Sequence, residues 1–321
     1  MKRFSNILYV SEGSVTQDAA LARAVSMAQN NQADLTVADV VPAIRAGAGA
    51  VSGGPASVDL QTALKTERRQ ALETLISSHR QDLDIRVEVL TGRKFLEVIR
   101  AVLRKHHDLV IKPAEDPDWI DRLFGSDDMH LLRKCPCPVW LTKPEEKSKY
   151  DCIVAAIDFD PDDPDPDEQI LNLEILELAS SLALSDFANL HILHVWDAFE
   201  AGFVRLWADD PHAAKIRLVE GARLRHQRGM EALNQKLRQQ IGTEAWEYLS
   251  PRVHMPKGTA SKTIPGLVRE LKADLVVMGT VARTGVAGLI IGNTAEAVLD
   301  QLRCPVLAVK PPGFVSPVMP D

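Results

Sequence analysis

The sequence predicts an α/β protein made of two tandem doubly wound domains, each a five-stranded parallel sheet flanked by helices. Three observations carry that prediction. Short β-branched runs alternate with amphipathic stretches, the alternation occurs twice, and segments of the first pass recur in the same order in the second. Asn6-Ile7-Leu8-Tyr9-Val10 is answered by Cys152-Ile153-Val154-Ala155-Ala156. Asp108-Leu109-Val110-Ile111-Lys112 is answered by Asp274-Leu275-Val276-Val277-Met278. Cys137-Pro138-Val139-Trp140-Leu141-Thr142-Lys143 is answered by Cys304-Pro305-Val306-Leu307-Ala308-Val309-Lys310. Gly92 and Gly258 mark a fourth correspondence, and a single deletion in the first copy accounts for the change of offset along the chain.

Taken in order, the strands of the first copy are expected over residues 7–10, 35–41, 85–90, 109–111 and 139–141. Those of the second are expected over 153–157, 190–196, 252–255, 275–278 and 306–309. Between the second and third strands, Leu60, Leu64, Ala71, Leu72, Leu75 and Ile76 recur near the helical period. Ile216, Val219, Met230, Leu233 and Leu237 do the same in the second copy. Strand and helix in this alternation imply right-handed crossovers and a parallel sheet covered on both faces. The polar, proline-bearing stretch 142–149 reads as a connector that does not pack, giving domains at 1–146 and 147–321. The tail 311–321, with four prolines, is expected loose or along the surface.

Composition narrows the function. At 321 residues, 45% hydrophobic and 25% charged, the chain reads as soluble and globular. No apolar run is long enough to span a membrane, and the short apolar segment 7–10 is followed at once by Glu12, so neither membrane insertion nor export is expected. A cytoplasmic location follows as the expectation. The net charge of −7 weighs against nucleic acid, whose binding depends on clustered Lys and Arg. Cys135, Cys137, Cys152 and Cys304 read as free, mostly buried thiols, because C-P-C lacks the second ligand pair of a zinc site.

Open parallel sheets hold ligands beyond the carboxyl ends of their strands. In the second copy the fourth strand ends in Met278-Gly279-Thr280-Val281-Ala282-Arg283-Thr284-Gly285, and Gly292-Asn293-Thr294-Ala295-Glu296 then opens a helix. Asn293 and Glu296 have the spacing of a capping box, and backbone N–H groups here are placed to meet phosphate oxygens. The pattern resembles the glycine loop of the nucleotide-binding universal stress proteins, and the paired copies resemble that family's tandem E subfamily. The resemblance implies a Rossmann-like, adenine nucleotide alpha hydrolase-like fold. It implies a nucleotide site of Asp158 near the ribose, Val195 at the adenine, and Met278, Gly279, Ala282, Arg283, Gly292, Asn293 and Thr294 around the phosphates. Ala282 stands where the family's second glycine belongs, and Asn293 where Ser or Thr is usual. ATP or AMP, with Mg²⁺ accompanying the nucleotide, are the implied ligands. The family's dimers join through their last strands, so an internal pseudo-dimer is expected, with 139–141 near 306–309, and a homodimer of whole chains is a further option.

In the first copy Pro113 replaces the first glycine and Asp127 and Asp128 open the helix after Gly125-Ser126, so no nucleotide is expected there. The acidic, proline-rich run from Asp158 to Glu168 lacks the glycine and terminal glutamate of a calcium loop and reads as a solvated loop, with no metal. His191 and His194 fall on opposite faces of one strand and read as single histidines, and His106-His107 likewise. No catalytic set is found. The leading function is a stress-response protein binding an adenine nucleotide in its second domain. One alternative is a sensor or carrier of an apolar small molecule or lipid, walled by the insert 199–241 with Phe203, Leu206 and Trp207. The other is a slow ATPase switch.

Overall fold

The computed structural model describes residues 3–44, 55–80, 83–115, 126–143, 147–206, 208–280 and 292–320. All ten expected strands form. The first half contributes β1 (Asn6–Val10), β2 (Asp34–Val41), β3 (Ile85–Thr91), β4 (Leu109–Pro113) and β5 (Val139–Thr142). The second contributes β6 (Cys152–Ile157), β7 (Asn189–His194), β8 (Arg252–His254), β9 (Leu275–Gly279) and β10 (Val306–Val309). The residues 195–196 and 255, read as strand from sequence, fall outside these bounds; Trp196 makes an isolated bridge to Lys257.

The strands join one sheet in the order β3-β2-β1-β4-β5-β10-β9-β6-β7-β8. Pairing is parallel inside each half, and the halves meet through the antiparallel pair β5–β10, with Leu307 opposite Trp140 and Val306 opposite Leu141. Each of these strands is fully buried, and pairing them leaves neither as an open edge.

Helices cover both faces. Leu8, Val10, Val110, Val154 and Val276 point to the layer shared with α3 (Lys94–Lys105), α4 (Asp127–Lys134), α8 (Ala260–Glu270) and α9 (Asn293–Leu299). Their strand neighbours Ile7, Tyr9, Ile111, Ile153 and Leu275 point the other way, toward α1 (Asp18–Asn31), α2 (Pro55–Ile76), α5 (Pro166–Asp186), α6 (Pro211–Ile241) and α7 (Thr243–Leu249). Both apolar layers run through the junction, since each contains residues of both halves.

Polar ties reinforce the junction. Arg23 on α1 bonds Asp186 at 3.0 Å and the Lys147 carbonyl at 2.8 Å, and lies 3.8 Å above the Tyr150 ring. The connector therefore packs in part, contrary to the sequence reading: Thr142 is buried and the Lys147 carbonyl accepts from Arg23. Arg3 pairs with Glu177 and Arg133 with Glu296 across the same boundary. The tail lies along the first half, where the Ser316 hydroxyl donates to the Lys134 carbonyl at 2.7 Å.

Two helical faces are shorter than their sequence pattern. In α2, Leu72 and Ile76 are buried while Leu60 is 58% exposed; in α6, Met230, Leu233 and Leu237 are buried while Ile216 is 56% exposed. The insert residues Phe203 and Leu206 face solvent, and Trp207 lies outside the described residues.

Candidate functional site

Strand order reverses between β6 and β9 in the second half and between β1 and β4 in the first, so each half has a crevice at the carboxyl ends of those strands. In the second half, Asp158 follows β6 directly, with an exposed side chain. Its backbone is fixed by Asn172 of α5, whose amide accepts from the Asp158 N–H at 3.2 Å and donates to its carbonyl at 2.6 Å. Val195 follows β7 and is buried, as is Met278 near the end of β9. Gly279 ends β9 against α5: a Cβ there would stand 3.0 Å from Leu171 Cδ2, so this position is small because a helix approaches it. Ala282 and Arg283 lie outside the described residues.

Gly292 is the cap residue of α9, with φ −63°, a conformation open to any residue. Its N–H donates to the Thr280 carbonyl at 3.1 Å and so closes the loop instead of facing outward. Asn293 and Thr294 form the exposed first turn of α9. The expected capping box does not form. No side chain caps α9, Asn293 is already helical, and the Glu296 carboxylate pairs with Arg133 of α4.

The corresponding place in the first half is filled from within. Lys112, fully buried at the end of β4, sends its ammonium to Asp128 at 2.7 Å, Glu12 at 3.1 Å and Glu115 at 3.7 Å. Lys94 reaches Glu12 at 2.7 Å from α3. Burial would strip the proton from Lys112, but the three carboxylates outweigh it and hold the ammonium more firmly than usual. Burial likewise opposes the Glu12 charge, and Lys112 and Lys94 overcome it, leaving that carboxyl below its ordinary range. For Glu115 burial wins and the carboxyl is raised. Asp128 therefore does not face the ligand space, as the sequence reading had it; it turns inward as the main counter-ion of Lys112. Beside this cluster lies a cavity of about 470 Å³ at the ends of β1 and β2, bordered by Glu12, Asp39, Arg68 and Lys94.

The histidines of β7 are paired, not single. His191 Nδ1 lies 2.8 Å from His254 Nε2 on β8, and His194 Nε2 lies 2.8 Å from His226 Nδ1 on α6. The Phe159 ring stacks on His194 at 4.0 Å, and Gly229 of α6 makes room for it: a Cβ there would fall 2.5 Å from Phe159 Cε2. Below this stack, Phe159, Pro161, Pro164, Ala232 and Leu233 line a cavity of about 380 Å³ whose rim carries both signs of charge, Arg225, Arg228 and Lys236 with Asp160, Asp165 and Glu168. The acidic loop supplies structure: Asp160 accepts from the Asp162 N–H and Asp165 caps α5 through the Asp167 N–H, both at 2.9 Å. Among the described residues no three His, Cys, Asp or Glu gather as a metal site, and no helix is long and apolar enough to cross a membrane.

A model of the universal stress protein family matches the chain twice, over residues 3–143 and 149–310. Universal stress protein E of Escherichia coli (strain K12) is 32% identical over 240 residues, which cover 74% of this chain and 72% of that protein. Its namesake in Photorhabdus laumondii is 27% identical over 337 residues, covering 99% and 98%. A functionally unknown protein from Pseudomonas aeruginosa PAO1 superposes with a TM-score of 0.65 at 25% identity, covering 97% of this chain and 94% of that one. A universal stress protein from Archaeoglobus fulgidus DSM 4304 gives 0.60 at 19% identity, covering 95% and 96%, and attests to the fold.

Proposed function

Because the chain belongs to the universal stress protein family in tandem form, we propose that it is a cytoplasmic stress-response protein whose second domain, residues 147–321, holds an adenine nucleotide. The first domain, residues 1–146, is structural in this reading. The contrast between the two crevices carries it. Where the first half buries Lys112, Glu12 and Asp128 in one ion cluster, the second has Met278, Asp158 and Ala295. No internal ions occupy that place among the described residues, and Asp158 keeps an exposed carboxylate at the end of β6.

In this reading Asp158 meets the ribose, the Val195 backbone meets the base, and the segment from Gly279 to Thr294 meets the phosphates of ATP or AMP. Mg²⁺ would screen those phosphates from the acidic loop 158–168. The reading is a binding module, with an ATPase switch as a lesser variant. Titration calorimetry of the full chain with Mg-ATP and with AMP tests it. One site per chain is expected, lost in a folded Asp158→Ala variant; two equal sites, or none, would overturn it.

A second reading rests on the cavity under Phe159. Its apolar floor, under a rim that mixes Arg225, Arg228 and Lys236 with Asp160, Asp165 and Glu168, suits a small apolar molecule or lipid with a polar head. Thermal-shift measurements with a fatty acid and with ATP separate the two: the Leu233→Trp variant should remove only the first response.

A further inference from the structure

Cys135 closes α4, and Cys137 follows two residues later, ahead of β5, with Pro136 restricting the backbone between them. Both are buried, and their Sγ atoms lie 3.6 Å apart. The second half drives a cation to the same spot. Lys310, just past β10 and 5% exposed, donates to the Leu132 carbonyl and, at 2.6 Å, to the Thr280 hydroxyl. Neither acceptor is charged, and among the described residues no carboxylate pairs with Lys310. A buried ammonium without a counter-ion is costly. Burial accordingly draws the Lys310 pKa down to about 7, opposed by the two sulfurs. Burial raises the Cys135 thiol, but a hydrogen bond from Cys137 and the Lys310 cation outweigh it and bring it below the ordinary value. Donating that bond, together with burial, pushes Cys137 far up. The two sulfurs are thus unequal, Cys135 being the more acidic.

We propose that Cys135 and Cys137 form a peroxide-oxidisable dithiol, a modification site in which Cys135 attacks, Cys137 resolves and Lys310 is the buried counter-ion. The Cys135 proton passes to the Lys310 amine, and the resulting thiolate attacks one oxygen of hydrogen peroxide. The S–O bond forms as O–O breaks, the leaving hydroxide takes the Lys310 proton and departs as water, and Cys135 is left as a sulfenic acid. The Cys137 sulfur then attacks that sulfur. S–S forms, S–O breaks, and the oxygen leaves as a second water with the Cys137 proton. Two thiols give two electrons to one peroxide. A disulfide needs about 2.05 Å between sulfurs, a closure of roughly 1.5 Å within one short turn. The site belongs to the first half alone, because Leu302 stands where Cys135 would recur.

The test uses the folded full chain treated with hydrogen peroxide, then denatured and titrated for thiols. A fall from four thiols to two is expected, reversed by dithiothreitol. The tryptic peptide beginning at Cys135 should lack two hydrogens. The Cys152→Ser/Cys304→Ser variant should lose the same two thiols. Lys310→Met should oxidise about tenfold more slowly near neutral pH and recover as pH rises, since only the thiolate attacks. Four persisting thiols, a loss mapped to Cys152 or Cys304, or an unchanged Lys310→Met rate would overturn the proposal. The wild-type peptide map decides it should a variant fail to fold.

Discussion

Lys112 shows how a single side chain gathers a charge cluster at a strand end. Its ammonium is held by Asp128, Glu12 and Glu115 where the second half carries Met278. Lys112→Met would leave Asp128 buried without its cation and Glu12 with Lys94 alone, which costs about 3–5 kcal/mol. The sign of its pH dependence follows from Glu12. Its folded pKa is lowered, so its stabilisation is present above the unfolded carboxyl value of ~4.3 and fades as pH falls through the lower folded value. Urea melts of wild type and variant should therefore differ most near neutral pH and converge in acid. This cluster was not legible in the sequence. Its members lie at positions 12, 112, 115 and 128, and only the strand order that sets β1 beside β4 brings them together. The same holds for His194 and His226: the alternation along β7 gave the opposite faces of His191 and His194, but not their partners on α6 and β8.

At the level of elements, the inner strands were readable because they are short apolar runs buried on both faces, whereas the edge strands β3 and β8 are partly exposed. The helices were readable in position but not in how much of their face is buried. With 22 residues, α2 is about 33 Å long, whereas the eight-residue β2 beneath it spans about 27 Å. The overhanging turns leave Leu60 in solvent although it keeps the helical period. Helix α6 offers a paired test within one element. Gly221→Ala would meet only the flexible tip of Arg225 at 3.4 Å, so it should stabilise by up to ~1 kcal/mol through helix propensity. Gly229→Ala would drive into Phe159 and unseat its stack on His194. The overpacking cost of ~1–3 kcal/mol should exceed that gain. Opposite shifts of the urea midpoint are the expected outcome. The anchoring of α6 should also weaken in acid. The bond between His194 and His226 needs one N–H and one lone pair, so two imidazolium rings cannot make it. Burial lowers the His226 pKa against the pull of Asp160, Asp162 and Asp158. The unfolded chain therefore binds more protons below the ordinary imidazole value, and stability is lost as pH falls through that window. Thermal melts between ~pH 7 and ~pH 5 should show the drop, and it should be shallower in His226→Gln.

For the whole molecule, the ten-stranded sheet makes the halves interdependent. Residues 1–146 alone would expose β5, and residues 147–321 alone would expose β10, each an apolar edge with unpaired backbone groups. We expect each separate half to self-associate in analytical ultracentrifugation, and the full chain not to do so through this edge. Two stable monomers would mean that the domains are independent. Trp140→Asp places a charge beneath Tyr150 and Arg23 at the seam and should cost several kcal/mol. The repeat made the two copies legible, and the seam between their last strands was expected from the resemblance to a family whose dimers join there. The packing of Tyr150 and Lys147 was not, since a polar connector carries no periodicity to betray its contacts.

The antiparallel seam between β5 and β10 has a consequence for symmetry. In an assembly of two identical chains, every substitution is written into both partners at once, so a crevice cannot be closed on one side and kept on the other. Joining the copies in one polypeptide removes that constraint. Lys112 can gather an ion cluster in one half while Met278 stands in its place in the other, and Cys137 can have a second thiol at position 135 while Cys304 has Leu302. The peptide linkage across residues 143–147 thus lets one scaffold hold two different chemistries on either side of an axis that no longer enforces sameness.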